Sequence, residues 1–362
     1  MLEQPSRQPP STQPGTSLTV ADDPPDDLKV ESGYLVGRAE AFIGASRAPN
    51  TVRGYESDWR HFVGWCARHH APSLPADPRL VALYLTSLAE GRREGGIWTE
   101  PPRRVTTLDR RLSAIRHYHR AAGHELDTRD PILRDTWRGI RRTLGVAPRG
   151  KAPTVTEFLR AMADTLPASP AGVRDRALLL VGFAGAFRRS ELVAIDHAHC
   201  ARHRDGIIIT IPFSKTDQEG HADEVGLPYG AHPETCPVRA LTDWLALADI
   251  SDGPVFRPIT RYGHIAPTRL TDRGVALVIK RAVSAARDAA IARGNTALAE
   301  SLDPARYAGH SLRAGFITSA AAAGVSESDI MRQSRHKRSD TLRKYIRHAT
   351  VFRQNAAAKV GL

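Results

Sequence analysis

Tyr345 sits in "SDTLRKYIRH", a basic stretch whose spacing predicts a helix. A tyrosine there is either an ordinary packing residue or a nucleophile held near a phosphate by the cations around it. The second half of the chain carries a matching set of cations. "GAFRRSELVAI" sets Arg188 and Arg189 behind an apolar run, and "SKTD" puts Lys215 near the tip of an expected hairpin. "GHSLRAGF" spaces His310 and Arg313 at i and i+3, so one helical turn aims both at one point. "SRHKRSD" supplies His336, nine residues before Tyr345. Singly these are weak signals, since a lone arginine caps helices and a loop lysine is solvated; the information lies in the ordered set.

These residues need elements to carry them. Helices are expected at 154–166, 172–194, 236–249, 271–292, 311–323, 326–333 and 339–358. "GIIITIP" at 206–212 is a β-branched strand, and "EVGLPYG" at 224–230 is its antiparallel partner across a polar loop. Residues 33–145 read as four or five helices. One face carries Leu108, Leu112, Ile115 and Tyr118, and another Ile132, Trp137, Ile140 and Leu144. Arg110, Arg116, Arg138 and Arg141 fall largely elsewhere and suit contacts with phosphates; a solvated helix face is the bland alternative for any one of them. "GVAPRGKAPT" joins the two halves as a linker over 146–153, and the proline-rich, acidic segment 1–32 reads as a disordered tail. The fold class expected is mainly α with a small antiparallel sheet.

Composition bounds the function. The net charge is +12, which points to an anionic partner, nucleic acid before membrane. The longest apolar run, "ALLLVGFAGAF", is too short to span a bilayer, and the first residues hold no signal-peptide pattern. Cys66, Cys200 and Cys236 are too scattered for a disulfide framework and fit a reducing cytoplasm. There is no Walker A loop, no GxGxxG after a strand, no HExxH and no GxSxG. "DHAHCARH" gathers three histidines and Cys200, but in no usual zinc spacing, so no metal site is expected.

The order Arg, Lys, His-x-x-Arg, His, Tyr closely resembles the tyrosine recombinase family, the phage integrases and site-specific recombinases. "RRSELVAI", "SKTDQEG", "CPVRALTDWL", "GHSLRAGF" and "SDTLRKYIR" carry that resemblance. It implies a two-domain DNA clamp, with a helical core-binding domain at 33–145 and a catalytic domain at 154–350. It implies Tyr345 as nucleophile on a DNA phosphodiester, giving a 3′-phosphotyrosyl link. Arg188 and Arg313 would hold the non-bridging oxygens with forked hydrogen bonds, and His336 would add a donor. His310 would take or relay the phenol proton, Lys215 would protonate the departing 5′ oxygen, and Glu191 would support the site. The surrounding cations are expected to lower the phenol pKa from its usual value near ~10.

The partners implied are double-stranded DNA with inverted-repeat core sites and a homotetramer on that DNA, with the tail at 351–362 docking on a neighbouring protomer. No metal, cofactor or membrane is expected, and the place of work is the bacterial cytoplasm at the nucleoid. The alternatives are a non-catalytic DNA-binding accessory protein of the same fold and a type IB topoisomerase-like enzyme; presence of all six residues favours the enzyme. Two positions depart from the family. Gly185 lies three residues before Arg188, where many members have glycine two before, and Arg335 stands where glycine often precedes the second histidine.

Overall fold

The computed structural model describes residues 34, 35, 38, 42, 49–146, 151–212 and 223–350, the side chains of 341, 344 and 347–350 excepted. The tail expected at 1–32, Lys215 and the segment 351–362 lie outside the described residues. The chain divides into two compact units, Met1–Arg149 and Gly150–Leu362. Both are mainly helical, each with one small antiparallel sheet. Among the described residues no helix is long and apolar enough to cross a membrane.

The first unit contains α1 (Pro49–Arg68), α2 (Pro78–Glu90), α3 (Val105–Ala121) and α4 (Pro131–Leu144). Asp77 and Asp130 start α2 and α4 by accepting backbone N–H groups, and a proline follows each where no donor is needed. Phe62, Tyr84, Leu85, Leu108, Ile115 and Leu133 form the centre of its core. The face of α4 differs from the one expected. Leu133 and Ile140 are buried with Trp137 packed beside them, while Ile132 and Leu144 stay exposed. The i, i+4, i+7 row through Leu133 fits the helix period better. Between α2 and α3 the chain inserts a hairpin, β1 (Arg92–Glu94) and β2 (Ile97–Glu100), that the helical reading overlooked. Its signal was "EGGI": Gly95 and Gly96 both take positive φ, 57° and 82°, as a two-residue hairpin turn requires.

The second unit contains α5 (Thr156–Asp164), α6 (Pro170–Ala184), α7 (Arg189–Ala194), the sheet β3 (Cys200–His203), β4 (Gly206–Ile211) and β5 (Asp223–Pro228), then α8 (Pro237–Leu247), α9 (Asp272–Ala292), α10 (Thr296–Ser301), α11 (Ser311–Ala322), α12 (Glu327–Ser334) and α13 (Ser339–Thr350). The isoleucine-rich β4 runs down the middle of the sheet, paired on both sides. Helix α6 is apolar almost all round and forms the axis of the core. It approaches α7 and α11 at Gly182, where an added Cβ would lie 2.8 Å from Leu312 and 3.0 Å from Leu192. Gly315 of α11 lies closer still to the segment entering α5; a Cβ there would fall 1.9 Å from the Thr154 carbonyl oxygen.

One expected element breaks in two. The helix anticipated over 172–194 stops at Ala184 and restarts at Arg189. Ala186 takes φ 46°, a left-handed turn, and this drives the Phe187 side chain into the core. The break matters because the carbonyls it frees from helix hydrogen bonding and the new helix start build the site.

Candidate active site

The turn at 184–188 is the floor of the site. Arg188 is the N-cap of α7: its backbone N–H donates to Glu191 Oε2 at 2.9 Å and its guanidinium to Oε1 at 2.5 Å. Glu191 is only 3% exposed. Burial alone raises its carboxyl pKa, but the charge of Arg335, the Arg188 N–H and the Arg188 guanidinium outweigh that and hold it below the ordinary value. Arg313, in the first turn of α11 and 1% exposed, donates to the Ala186 carbonyl at 2.8 Å and reaches the His336 ring at 3.2 Å.

Arg313 has no carboxylate of its own among these contacts. Burial, Arg188 and Arg335 together push its guanidinium down to about 9. An arginine keeps its proton in a protein, so the direction is what counts. Positive charge here exceeds the negative charge available, and an entering anion would relieve it.

Tyr345 projects from α13. Its ring packs beside Ile317, Ala321, Ile330 and Leu342, and its hydroxyl lies 2.9 Å from His310 Nε2. It is thus a packing residue by its ring, with its hydroxyl set against a histidine. His310 is exposed as a residue, yet the packing around its ring, then Arg313 and Arg188, lower its pKa. A neutral imidazole with its proton on Nδ1 can accept the phenol proton at Nε2. The Tyr345 pKa, in contrast, is raised: burial of the ring outweighs the lowering by Arg313. This corrects the expectation that the cations lower it. A single guanidinium does not compensate for the desolvation of a phenolate.

His336 follows α12. Its pKa is pushed down to about 4 by burial and by Arg313, Arg188, His310 and Arg335. Its Nδ1 lies 2.7 Å from the hydroxyl of the fully buried Ser334, which also lies 2.6 Å from the Ile330 carbonyl. A consistent network has Ser334 donating to that carbonyl and accepting from His336 Nδ1–H. That assignment turns Nε2 toward Arg313, 3.4 Å away.

Arg335 is the residue that sequence reasoning missed. It caps α12 in the left-handed conformation, φ 56° and ψ 44°, which accounts for glycine at this position elsewhere in the resemblance. It is nevertheless an arginine, and a buried one. It donates to Glu191 Oε2 at 2.8 Å, to the carbonyls of Gly185 at 3.1 Å and Ala186 at 3.3 Å, and stacks over the Phe187 ring. The signal was visible as a departure from glycine; the side-chain role was not.

The remaining expected residues have other settings. Lys215 lies outside the described residues. Arg110 pairs with Asp58 at 3.0 Å, Arg138 with Asp135 at 3.4 Å, and Arg141 lies over Trp137. Arg116 is exposed and lines a surface hollow with Arg120 and His124. Arg189 pairs with Asp272 at 3.1 Å and takes no part in the cluster. Among the described residues no group of three or more His, Cys, Asp or Glu side chains could hold a metal ion. His199 instead caps a short turn by accepting the Asp196 N–H.

Comparison with known proteins places the whole chain. Residues 41–125 match the phage integrase N-terminal SAM-like domain. An integrase/recombinase XerD homolog from Selenomonas ruminantium is 38% identical over 323 residues, covering 88% of this chain and 87% of that protein. Similar folds include the XerH site-specific recombinase bound to palindromic difH substrate in a post-cleavage complex (TM-score 0.53, 17% identity, 78% of this chain and 72% of that one). Another is the Tn1549 transposon integrase with transposon right-end DNA (TM-score 0.55, 12% identity, 87% of this chain and 93% of that one). With a relative 38% identical over 88% of it, the chain belongs to the tyrosine recombinase family and is a tyrosine-type site-specific recombinase.

Proposed function

We propose that Tyr345 Oη attacks a phosphodiester of double-stranded DNA at an inverted-repeat core site. The Oη–P bond forms and the P–O5′ bond breaks. The phenol proton passes to His310 Nε2, and Lys215 supplies the proton that the 5′ oxygen takes up. Because the phenol pKa is held up rather than down, proton removal must accompany attack, and neutral His310 is placed for it. Arg188 and Arg313 neutralise the charge that develops on the non-bridging oxygens. For His336 to donate to the same phosphate, Nε2 must gain a proton, and an arriving anion raises its pKa in that direction. The phosphotyrosyl ester retains the phosphodiester energy, so a 5′-hydroxyl of another strand can reverse the step.

One observation carries this reading: the Tyr345 hydroxyl stands 2.9 Å from His310 Nε2, beside an arginine cluster short of negative charge. DNA as substrate is supported by the XerH and Tn1549 integrase structures, both determined with DNA. Residues 33–145 are the core-binding part in this proposal, with Arg116, Arg138 and Arg141, and less directly Arg110, on phosphates. Residues 154–350 are the catalytic part. Strand exchange would take four protomers on two sites, with the tail at 351–362 docking in trans, and would occur at the bacterial nucleoid in the cytoplasm. Truncation after Val351 should impair tetramer assembly on DNA, and unimpaired assembly would remove the tail from that role.

The test uses nicked DNA carrying the inverted repeats that flank the gene. Wild type should trap a covalent protein–DNA adduct and Tyr345→Phe none. An adduct persisting in the phenylalanine variant would place the nucleophile elsewhere.

A further inference from the structure

We propose that Arg335 is a positioning residue, one that holds Glu191 so that the Arg188 guanidinium remains available to the phosphate; this rests on the function proposed above. The geometry begins with a backbone problem. Position 335 needs a left-handed conformation, which glycine adopts freely and arginine does not. A side chain that strains the backbone and buries a charge there must answer to something else. Arg335 is 8% exposed, and its guanidinium reaches Glu191 Oε2, the Gly185 carbonyl, the Ala186 carbonyl and its own turn at Gln333.

The arrangement around Glu191 shows what this contact does. Its Oε2 accepts from the Arg335 guanidinium and from the Arg188 backbone N–H, while Oε1 accepts from the Arg188 guanidinium. Arg188 is therefore held through one nitrogen, with the rest of its fork uncommitted to Glu191. Without Arg335, Oε2 is open to a second Arg188 hydrogen bond, and a bidentate pair would fold that fork away from a phosphate. The same residue ties the turn before His336 to the carbonyls at 185 and 186, one of which also receives Arg313. One side chain thus sets the relative placement of Arg188, Arg313 and His336.

The experiment compares wild type, Tyr345→Phe, Arg335→Gly, Arg335→Lys, Glu191→Gln and the Glu191→Gln/Arg335→Gly double variant. Adduct formation is followed in single turnover at saturating nicked DNA, beside DNA affinity and thermal midpoint. Arg335→Gly relaxes the backbone, yet should slow adduct formation at least about ten-fold at saturating DNA, as expected of small misplacement, with affinity little changed. Lysine should restore part of the rate, since an ammonium can meet Glu191 but cannot fork onto both carbonyls. The His336 imidazole should titrate at higher pH in Arg335→Gly than in wild type, read by NMR. The ring of His336 would then face Arg313, Arg188 and His310 but no longer Arg335.

A folded Arg335→Gly with wild-type rate and wild-type His336 titration overturns the inference. Where that variant fails to fold, the double variant removes the unpaired carboxylate and decides. The charged contact with Glu191 is absent from both, so the double variant should fall less than about ten-fold below Glu191→Gln, through the lost carbonyl ties alone; a fall of about ten-fold or more overturns the inference. Absence of an adduct from wild type would bring down the proposed function and this inference with it. A wild-type adduct absent in Tyr345→Phe leaves the inference to be judged on the Arg335 variants alone.

Discussion

Two hydrogen-bonded tyrosine–histidine pairs, each with an arginine nearby, differ in what their surroundings allow. In the first unit Tyr84 Oη lies 3.0 Å from His61 Nδ1, and in the second Tyr345 Oη lies 2.9 Å from His310 Nε2. Tyr84 is fully buried, and burial pushes its pKa up to about 12. Arg111 donates to its oxygen at 2.6 Å, so the lone pair a nucleophile would need is occupied. Asp58 then lies beside both Arg110 and Arg111, one carboxylate for two guanidiniums, of which Arg110 is half exposed. Around Tyr345 three arginines, 188, 313 and 335, surround Glu191, with a smaller influence of Asp223 on Arg335, and the histidine is open to solvent. A hydrogen-bonded tyrosine and histidine are therefore no signature of catalysis. Access and the larger excess of positive charge make the difference.

The comparison can be broken most forcefully at Arg188. Arg188→Ala leaves Glu191 paired with Arg335, so folding should survive, while adduct formation falls by about 10²–10³. Single-turnover rates beside a DNA-binding measurement check this, and an equal loss of affinity would count against a transition-state role. Tyr84→Phe is the matching change in the first unit. It strands the hydrogen-bonding groups of Arg111 and His61, and should cost about 1–3 kcal/mol in denaturant unfolding. The adduct rate per folded molecule should stay at the wild-type level, and a collapse of that rate would erase the distinction between the pairs.

The pH dependence gives a smaller effect. Since His310 and His336 both titrate below the usual imidazole range, both are neutral at pH 7 in the free protein. The second-order rate of adduct formation reports the free protein. Its acid limb, where His310 takes a proton from solvent and ceases to be a base, should lie below pH ~6.5. A limb at or above that value would mean that His310 is not held neutral as described. Smallest is Ala186→Gly, which removes the left-handed strain under the cluster. It should stabilise the protein by about 1 kcal/mol, read as a rise in thermal midpoint with little change in rate.

Ala186 and Arg335 also mark where sequence reading reached its limit. Periodicity located α9 and α11 closely because their apolar faces repeat without interruption. The ordered cations identified the site because their types are dictated by phosphate chemistry. The break after Ala184 was not legible, because a left-handed alanine leaves no compositional mark; Gly185 beside it was the only punctuation, and it is not the residue with positive φ. That glycine serves close packing instead, since a Cβ there would collide with the Phe187 ring. Of the four described non-glycine residues with positive φ, two, Ala186 and Arg335, fall where the resemblance leads one to look for glycine, and they are bonded to each other. Neither strain nor bond is visible in a linear string. The hairpin at 92–100 was legible in its Gly-Gly turn but was hidden between two persuasive helices.

The apolar residues under Tyr345 form a cluster of their own, with Ile317, Ala321, Ile330 and Leu342 at its centre, separate from the large core beneath Arg313. Helix α11 belongs to both, so it divides the unit into a deep part that holds the cations and a shallow part that holds Tyr345. The shallow part is built on four buried residues and the deep part on many more, so the shallow part should open at the lower free energy. Backbone amides of 339–350 should then exchange with solvent well ahead of those in 311–322. In the proposed reaction a tyrosine joined to a DNA strand has to follow that strand, and Tyr345 stands on the shallower of the two parts.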